Sequence, residues 1–406
     1  MSCPVQDGPS KGDIMKRTQV LLEIRQMRFA NVYEGWQVGR LSQEEAAEAL
    51  GVSERTFRRF SRRFEEDGPP GLLDRRFGQV SARLAPVDEV MALTSLYRGR
   101  YADWTVKHFF DFYQAEHRGR RSYTWVKKSL QAQGVVVRAK RRGAHRRKRE
   151  RRPLPGMMLH QDGSRHPWLA GSQCDLIITM DDATSEIYSA FLIDEEGTMS
   201  SLLGVQAVIE RKGLFSSLYT DRGSHYWLTP KVGAPVDRQQ PTQFHRALTQ
   251  LGIELIAAYS PQARGRSERT FKTWQERLPR ELALAGITTM AAANRYITRR
   301  FLPSFNRLFS VPAREPGSAF VPFIGGHLAD TLCVQQPRVV GNDNCVRYRN
   351  LTLQIPADHH RCHYVKASVR VHEYPNASLA LFHGPRCLAR YTAQGKTVQA
   401  KSRRAA

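Results

Sequence analysis

The sequence predicts three architectures in succession: an all-helical N-terminal part, a central α/β domain and a small β-barrel near the C-terminus. Apolar residues recur at helical spacing as far as residue 137, which indicates helices. Strand-like and helical segments then alternate from Pro155 to Arg300, as they do in α/β domains. After residue 330, short segments alternate apolar and polar residues between turns, which is typical of β-strands.

Composition limits the number of domains and the kind of partner. The chain has 406 residues, 41% of them hydrophobic. This is enough for roughly two to four domains with apolar cores. Lys and Arg number 62 against 38 Asp and Glu, so the formal net charge is +24. A positive excess of this size favours a polyanion as the partner.

Neither a membrane segment nor a disulfide framework is predicted. Apolar runs fall short of the roughly 18 residues that span a bilayer. Residues 1–13, which we expect to be disordered, lack a signal-peptide core. The six cysteines are scattered without a CxxC pair, which favours a reducing cytoplasm. Residues His359–His363 (HHRCH) could bind a metal, although a polar turn between strands is the favoured interpretation.

Residues 14–80 are predicted to form a helix-turn-helix domain. Ser42 can cap a helix with Glu45 completing a capping box, Gly51 makes the turn, and Ser53 caps a second helix. That second helix carries the arginines expected to contact DNA in the major groove: Arg55, Arg58, Arg59 and Arg62. The alternative is a plain helical hairpin with a solvated basic face.

A second helical domain, resembling a helix-turn-helix, is expected over residues 86–137, and a basic linker over 138–154. A block of like charge repels itself and stays extended unless phosphates neutralise it. We therefore expect the linker to lie along DNA, although it could serve only to keep the chain soluble. Its predicted DNA-binding residues are Arg141, Arg142, Arg146, Arg147, Lys148 and Arg149.

Residues 155–300 are predicted to be a core of RNase H-like fold. Three strands, a helix, a strand, a helix, a strand and a helix follow one another, which is the element order of that fold. Asp162 lies in the first predicted strand, Asp221 follows the fourth, and Glu268 lies in the first turn of the helix after the fifth. A linker (301–330), the small β-barrel (331–392) and a basic tail (393–406) complete the predicted organisation.

In an RNase H-like sheet these three carboxylates are expected to meet at one edge. Three negative charges at close range repel one another, and divalent cations relieve the repulsion. Oxygen ligands favour Mg²⁺ or Mn²⁺, and two ions about 4 Å apart could drive displacement at phosphorus. Nearby Arg264, Arg266 and Arg269 suit DNA phosphates. Taken singly, Asp162 and Asp221 could each be an ordinary turn residue.

A second pair of aspartates is not expected to bind metal. Asp181 and Asp182 begin the segment Asp-Asp-Ala-Thr-Ser, which suits a hairpin turn between two strands. We therefore predict a structural role for both side chains.

Around these residues the chain resembles bacterial insertion-sequence transposases of the ISNCY type, within the DDE, retroviral-integrase-like superfamily. The resemblance covers nearly the whole chain. The segments that carry it are Leu41–Phe60, Arg141–Arg149 (RRGAHRRKR), Leu159–Ser164 (LHQDGS), Tyr219–Ser224 (YTDRGS), Gln262–Arg269 (QARGRSER), Gln275–Pro279 (QERLP) and Val340–Asn344 (VGNDN). One departure is that 46 residues lie between Asp221 and Glu268, which makes residues 224–240 an insertion relative to retroviral-type integrases.

The resemblance implies that Asp162, Asp221 and Glu268 form a metal-binding catalytic triad that cleaves and joins DNA at the terminal repeats of an element. Its partners would be double-stranded DNA at the element ends and the target, with several copies of the chain assembled on DNA at the bacterial nucleoid. One alternative is a DNA-binding regulator or domesticated transposase without catalysis. Another is a nuclease of the same fold that only hydrolyses DNA.

Overall fold

The computed structural model describes residues 11–73, 85–138, 150–229, 236–237, 239–259, 261–357 and 360–398, without the side chains of 11–19 and 261–264. The chain divides into two units, Met1–Ala92 and Leu93–Ala406. Across the described residues, the helices are all too short or too polar to cross a membrane.

The first unit contains the predicted helix-turn-helix. Its helices are α1 (Lys11–Gln37), α2 (Gln43–Leu50) and α3 (Glu54–Asp67), and a 3₁₀ turn follows at Pro69–Leu72. Ser42 and Glu45 form the expected capping box, and the Ser53 side chain caps α3. Gly51 has a φ of +66°, a conformation that glycine adopts without strain. The helices pack around Phe29, Tyr33 and Phe57.

Three further helices lie where the sequence places the second helical group. They are α4 (Val87–Arg100), α5 (Val106–Ala115) and α6 (Tyr123–Ala132). The division between the two units falls within α4, after Ala92. Aromatic side chains, among them Tyr101, Trp104 and Phe109, form the core between these helices.

The central sheet has the strand order of the predicted RNase H-like core. Its strands are β1 (Leu159–Leu169), β2 (Ser172–Asp181), β3 (Ile187–Ile193), β4 (Ser217–Thr220) and β5 (Glu254–Ala257). They lie in the order β3-β2-β1-β4-β5. The first three strands are antiparallel, whereas β4 runs parallel to β1 and β5 runs parallel to β4. The predicted order of elements is therefore correct.

Helices and two apolar clusters complete this α/β region. The helices are α7 (Thr198–Lys212), α8 (Gln243–Gln250), α9 (Pro261–Leu284), α10 (Met290–Tyr296) and α11 (Leu302–Phe309), with one π-helical turn at Ile297–Phe301. One cluster includes residues of α7 and α8 with Tyr226 and Trp227. The other joins β2 and β3 to Trp274 of α9 and to α11.

The helical group α4–α6 packs against the far end of α9. The buried His108 Nε2 lies 2.9 Å from Glu281 Oε1, and Arg277 Nη2 donates to Asp111 Oδ2 at 2.8 Å. Burial lowers the pKa of His108, against the opposing effect of Glu281. These contacts fix the C-terminal half of α9.

The C-terminal region is a β unit preceded by α12 (Leu328–Thr331). Its strands are β6 (Val334–Val339), β7 (Cys345–Tyr348), β8 (Leu351–Gln354), β9 (Ser368–Glu373), β10 (Leu379–His383), β11 (Arg386–Tyr391) and β12 (Thr397–Val398). Five of them form an antiparallel sheet in the order β12-β11-β10-β9-β6, and β7 pairs with β8 as a hairpin. The hairpin and the sheet share one apolar core. Closure into a barrel stays a prediction.

One predicted strand of this region is wrong. The sequence predicts a single strand over residues 346–355, but the chain reverses there between β7 and β8. Arg349 has a φ of +51°, so it adopts the left-handed conformation in the turn. The turn contains neither Gly nor Pro, the residues that most clearly predict a turn from sequence. The strands β11 and β12 were not predicted.

Candidate active site and nucleic-acid interface

Asp162 and Asp221, here called the acidic pair, lie level with each other on neighbouring parallel strands. β1 and β4 pair with Leu159 opposite Leu218 and His160 opposite Tyr219. Continued two residues beyond this pairing, the same register aligns Asp162 of β1 with Asp221, the first residue after β4. Asp162 is buried and Asp221 is half-buried. The topology therefore brings together two carboxylates that are 59 positions apart in the sequence.

Two glycines hold the carboxylates of the acidic pair. The Gly163 N–H donates to Asp162 Oδ1 at 3.1 Å, and the Gly223 N–H donates to Asp221 Oδ1 at 2.9 Å. Space is also tight at both positions, where a larger residue would displace the neighbouring side chains. A Cβ atom on Gly163 would collide with the carboxylate of Glu196, and one on Gly223 would lie 3.0 Å from Asp221 Oδ1.

Glu196 and His225 are residues of this site that the sequence analysis missed. Glu196 lies just before α7 and packs against Gly163, while His225 Nε2 lies 3.4 Å from Glu196 Oε1. The adjacent Tyr226 hydroxyl is fully buried, and burial together with the charges of Glu196 and the acidic pair raises its pKa well above the ordinary value. An acidic run before a helix, Asp194–Glu196, was the available signal.

The face of β1 that carries Asp162 is the face that α9 covers. Side chains alternate along a strand, so His160, Asp162 and Ser164 point to the same side. Ser164 Oγ accepts a hydrogen bond from Gln275 Nε2 of α9 at 3.0 Å. Two strand positions earlier than Asp162, His160 bonds to Asp182, and Arg266 of α9 pairs with that same carboxylate.

Glu268 lies on α9 between these two points of attachment. It precedes Gln275 by seven residues, about two helical turns, and so shares that side of the helix. Its neighbours Ser267 and Phe271 are buried, whereas the Glu268 side chain is exposed. The helix thus runs over the strand that carries Asp162. Because the Pro- and Gly-bearing segment before Glu268 is itself helical, α9 begins at Pro261, and the exposed Glu268 lies about two turns into the helix rather than in the first turn that the sequence predicts.

Most of the candidate ligand atoms are carboxylate oxygens, which suits a hard divalent cation. Asp162, Asp221, Glu196 and Glu268 supply carboxylates, the ligand class that Mg²⁺ and Mn²⁺ prefer. Within the described part of the chain, however, no three His, Cys, Asp or Glu side chains are grouped closely enough to hold one ion. The roles of Asp162, Asp221 and Glu268 as metal ligands therefore stay predictions.

Asp182 is the hub of a buried polar network beside the acidic pair. Its Oδ1 lies 2.8 Å from His160 Nε2 and also accepts from Arg266, while its Oδ2 accepts from the Arg152 N–H at 2.8 Å. Burial alone would raise the pKa of Asp182, but His160, the Arg152 N–H and Arg266 together lower it well below the usual range. Asp182 thus ties β1, α9 and the end of the predicted basic linker to one point.

Asp181 has the structural role in a turn that the sequence predicts. Its Oδ2 accepts from the N–H and hydroxyl of Thr184 at 2.8 and 2.9 Å, and its Oδ1 accepts from the Gly156 N–H. Burial raises the pKa of Asp181. Both aspartates of the turn are fully buried and bonded within the fold.

The arginines of α3 form the candidate DNA-reading surface. Arg55, Arg58, Arg59 and Arg62 are exposed and recur at helical spacing, opposite the buried Phe57 and Ser61. Arg62 pairs with Glu66 one turn further along, at 2.9 Å. Arg63, in contrast, is half-buried and donates to the Leu73 carbonyl. The exposed face therefore presents the four arginines that the sequence predicts to contact DNA.

The remaining predicted phosphate contacts fall into three groups. Six lie outside the described residues, namely Arg141, Arg142, Arg146, Arg147, Lys148 and Arg149. The side chain of Arg264 is likewise not described, and Arg269 is exposed on α9. Arg266 differs from the expectation, because it is mostly buried and pairs with Asp182. Its buried position follows from the charge of Asp182, which the sequence placed in a turn without a partner.

Comparisons with known proteins agree with these features. A family model described as a winged helix-turn helix matches residues 26–89. Two curated relatives carry the name transposase. One, y4bF of Sinorhizobium fredii, is 28% identical over 353 residues, which is 84% of this chain and 75% of that protein. The other, the transposase for insertion sequence IS1202 of Streptococcus pneumoniae, is 29% identical over 209 residues, which is 50% of this chain and 43% of that one.

Solved structures with remote likeness come from retroviral systems. A simian T-cell lymphotropic virus intasome bound to a PP2A regulatory subunit has a TM-score of 0.33 and 14% identity, over 70% of this chain and 93% of that one. The HTLV-2 integrase catalytic core domain with magnesium has a TM-score of 0.28 and 15% identity. The match covers 36% of this chain and 88% of that one. The curated relatives and the family model confirm the predicted resemblance of this chain to insertion-sequence transposases.

Proposed function

We propose that the chain is a DNA transposase that binds the terminal inverted repeats of an insertion sequence and catalyses metal-dependent DNA cleavage and strand transfer. The observation that carries the proposal is the acidic pair, with Asp162 in β1 and Asp221 directly after β4, the parallel strand that pairs with β1. Glu268, on the helix bonded to the same strand through Gln275 and Ser164, is the proposed third carboxylate. The names of the two curated relatives favour the same activity.

Asp162, Asp221 and Glu268 are proposed to bind two divalent cations, Mg²⁺ or Mn²⁺. Such ions, when bound, activate a water or a 3′-hydroxyl and stabilise the leaving oxygen of an in-line displacement at phosphorus. The Gly163 and Gly223 N–H groups orient the acidic pair for this role. Arg269, exposed next to Glu268, can hold a DNA phosphate.

The rest of the chain is proposed to bring DNA to this site. The exposed arginines of α3 would read the terminal repeat in the major groove. The basic linker, in which Arg151 and Arg152 are anchored at Asp182, would follow the DNA backbone towards the acidic pair. Several copies are proposed to assemble on the paired element ends, at the nucleoid.

A joining assay separates this proposal from its alternatives. The purified chain would be incubated with Mg²⁺, a target plasmid and a fragment that ends in the inverted repeats flanking its gene. We expect covalent products in which the 3′ end of the repeat is joined to the plasmid. Nicks without joined products would instead indicate a nuclease that only hydrolyses. Repeat binding without any cleavage would indicate a non-catalytic regulator, and either result overturns the proposal.

Replacing Arg58 and Arg59 by alanine is expected to weaken binding to the terminal repeat. Each lost base contact costs about 1–3 kcal/mol, so the double variant should bind at least about tenfold more weakly. Both side chains are exposed, so the fold of the first unit should persist. Binding would be measured by fluorescence anisotropy at fixed salt, on repeat and on scrambled DNA. The same loss on both DNAs would show that α3 does not read sequence.

A further inference from the structure

We propose that an exposed face of α1 pairs in parallel with the same face of a second copy of the chain. This face, called the seam, consists of Val20, Ile24, Met27 and Asn31. Its three apolar residues are 52%, 47% and 61% exposed, although they lie on the first unit's longest helix. The sequence marks them as a helical repeat, and neither the core of the unit nor the proposed catalysis accounts for them.

The seam is separate from the face of α1 that packs in the core. At about 100° per residue, Phe29, Tyr33 and Trp36 cluster on one side of the helix, and they pack with α2 and α3. The seam residues fall on the opposite side by the same rotation. A helix with apolar residues on two opposite sides can bury the second side only against another element.

The spacing of the seam is that of a two-stranded coiled coil. Its residues are separated by four, three and four positions, so Val20 and Met27 take d positions and Ile24 and Asn31 take a positions of a heptad. The apolar residues do not select the number of strands, because β-branched residues occupy both a d position (Val20) and an a position (Ile24). Asn at another a position specifies a parallel dimer, because its amide bonds best to the same residue of the partner.

Charge complementarity indicates that the partner packed against the seam is a second copy of the chain. In the heptad fixed by the seam, Glu23 takes a g position and Arg28 the following e position. In a parallel dimer, residue g of one helix lies beside residue e of the next heptad in its partner. Glu23 of each copy would therefore pair with Arg28 of the other, twice in one symmetric interface. Both side chains are exposed.

The described seam is short, so the dimer should be weak without DNA. Two heptads provide few buried pairs, and short helical contacts are marginal in water. Two copies bound to neighbouring sites would gain a high effective concentration for each other. The inference does not depend on the catalytic proposal, because the pairing would operate in any protein that places this unit on DNA in two copies.

Charge exchange at Glu23 and Arg28 tests the pairing in the full-length chain. Sedimentation equilibrium across a wide range of concentrations would give the dissociation constant of the dimer. Glu23→Arg and Arg28→Glu, each alone, place like charges together and should weaken the dimer about tenfold. The doubly exchanged variant E23R/R28E restores opposite charges and should recover the wild-type constant. An equimolar mixture of the two single variants should form the heterodimer preferentially.

Glu48→Arg on α2 is the matched control, because it makes the same charge change at an exposed site outside the seam. It should leave the dissociation constant unchanged. Ile24→Glu places two negative charges in the seam and should leave the chain monomeric if the seam is the interface. A wild-type chain that is monomeric throughout overturns the proposal. So does a dimer that none of the seam variants weakens, or one that E23R/R28E does not restore.

Discussion

Asp162→Asn is expected to abolish strand transfer while leaving binding to the terminal repeat nearly intact. The substitution removes a negative charge from the acidic pair but keeps the shape of the side chain and an oxygen for the Gly163 N–H. Loss of a metal-ligating carboxylate removes several kcal/mol of transition-state stabilisation, which corresponds to at least about a thousandfold in rate. Glu268→Gln should have an effect of the same order if it is the third ligand.

The joining assay would measure the rate of strand transfer by each of the two variants. Two control substitutions test whether the loss is specific to the proposed ligands. Glu276→Gln changes a partly exposed carboxyl on the same helix as Glu268, and Asp194→Asn changes an exposed aspartate near Glu196. Both controls should retain most of the joining activity. An Asp162→Asn protein that still joins DNA ends would refute the assignment of the acidic pair. A Glu268→Gln protein that still joins DNA ends would refute only the assignment of Glu268 as the third ligand.

Asp182→Ala is expected to cause a large loss of stability in the second unit. It would leave Arg266, His160 and the Arg152 N–H without their shared acceptor in a buried place. Breaking a buried ion pair by removing one partner costs about 3–5 kcal/mol of unfolding free energy. Because Arg266 lies two residues before Glu268, the substitution should also loosen the beginning of α9.

Urea unfolding followed by tryptophan fluorescence would measure this loss. Five of the six tryptophans belong to the second unit, since Trp36 alone lies in the first. Glu116→Ala is the control, because its ion pair with Arg300 is largely exposed and such pairs contribute about 0–1 kcal/mol. An Asp182→Ala protein as stable as the Glu116→Ala protein would show that the network is not a hub.

The pH dependence of stability should change in the same variant. The pKa of Asp182 is lower in the folded than in the unfolded chain, so its contribution is present above the ordinary carboxyl pKa of about 4. That contribution is lost as the pH falls through the folded-state value. The wild-type chain should therefore lose stability in acid more steeply than Asp182→Ala.

Periodicity and element order were enough to predict the sheet and the acidic pair. In a sheet of RNase H-like order the first and fourth strands are neighbours. Predicting Asp162 in the first strand and Asp221 at the end of the fourth therefore also predicted that the two residues lie side by side. The helix-turn-helix could also be predicted from sequence, because Ser42, Gly51 and Ser53 are capping residues whose hydrogen bonds reach only a few residues along the chain.

Features that depend on packing between distant segments could not be predicted. Glu196 reaches Gly163 from the start of α7, and Arg266 turns inward to Asp182 rather than outward to DNA. Neither contact has a spacing that the sequence reveals. The chain reversal at Arg349 uses a residue that rarely adopts positive φ, so local propensity predicted one strand where there are two.

Iron-directed cleavage of the polypeptide tests the central claim most directly. Fe²⁺ can occupy oxygen-ligand sites of Mg²⁺, and with ascorbate and peroxide it cuts the backbone beside the bound ion. We expect fragments that end near Asp162, Asp221 and Glu268, all suppressed by excess Mg²⁺ and all lost in Asp162→Asn. Cuts near Asp162 and Asp221 without one near Glu268, or cuts elsewhere that Asp162→Asn does not remove, would contradict a shared site of three carboxylates.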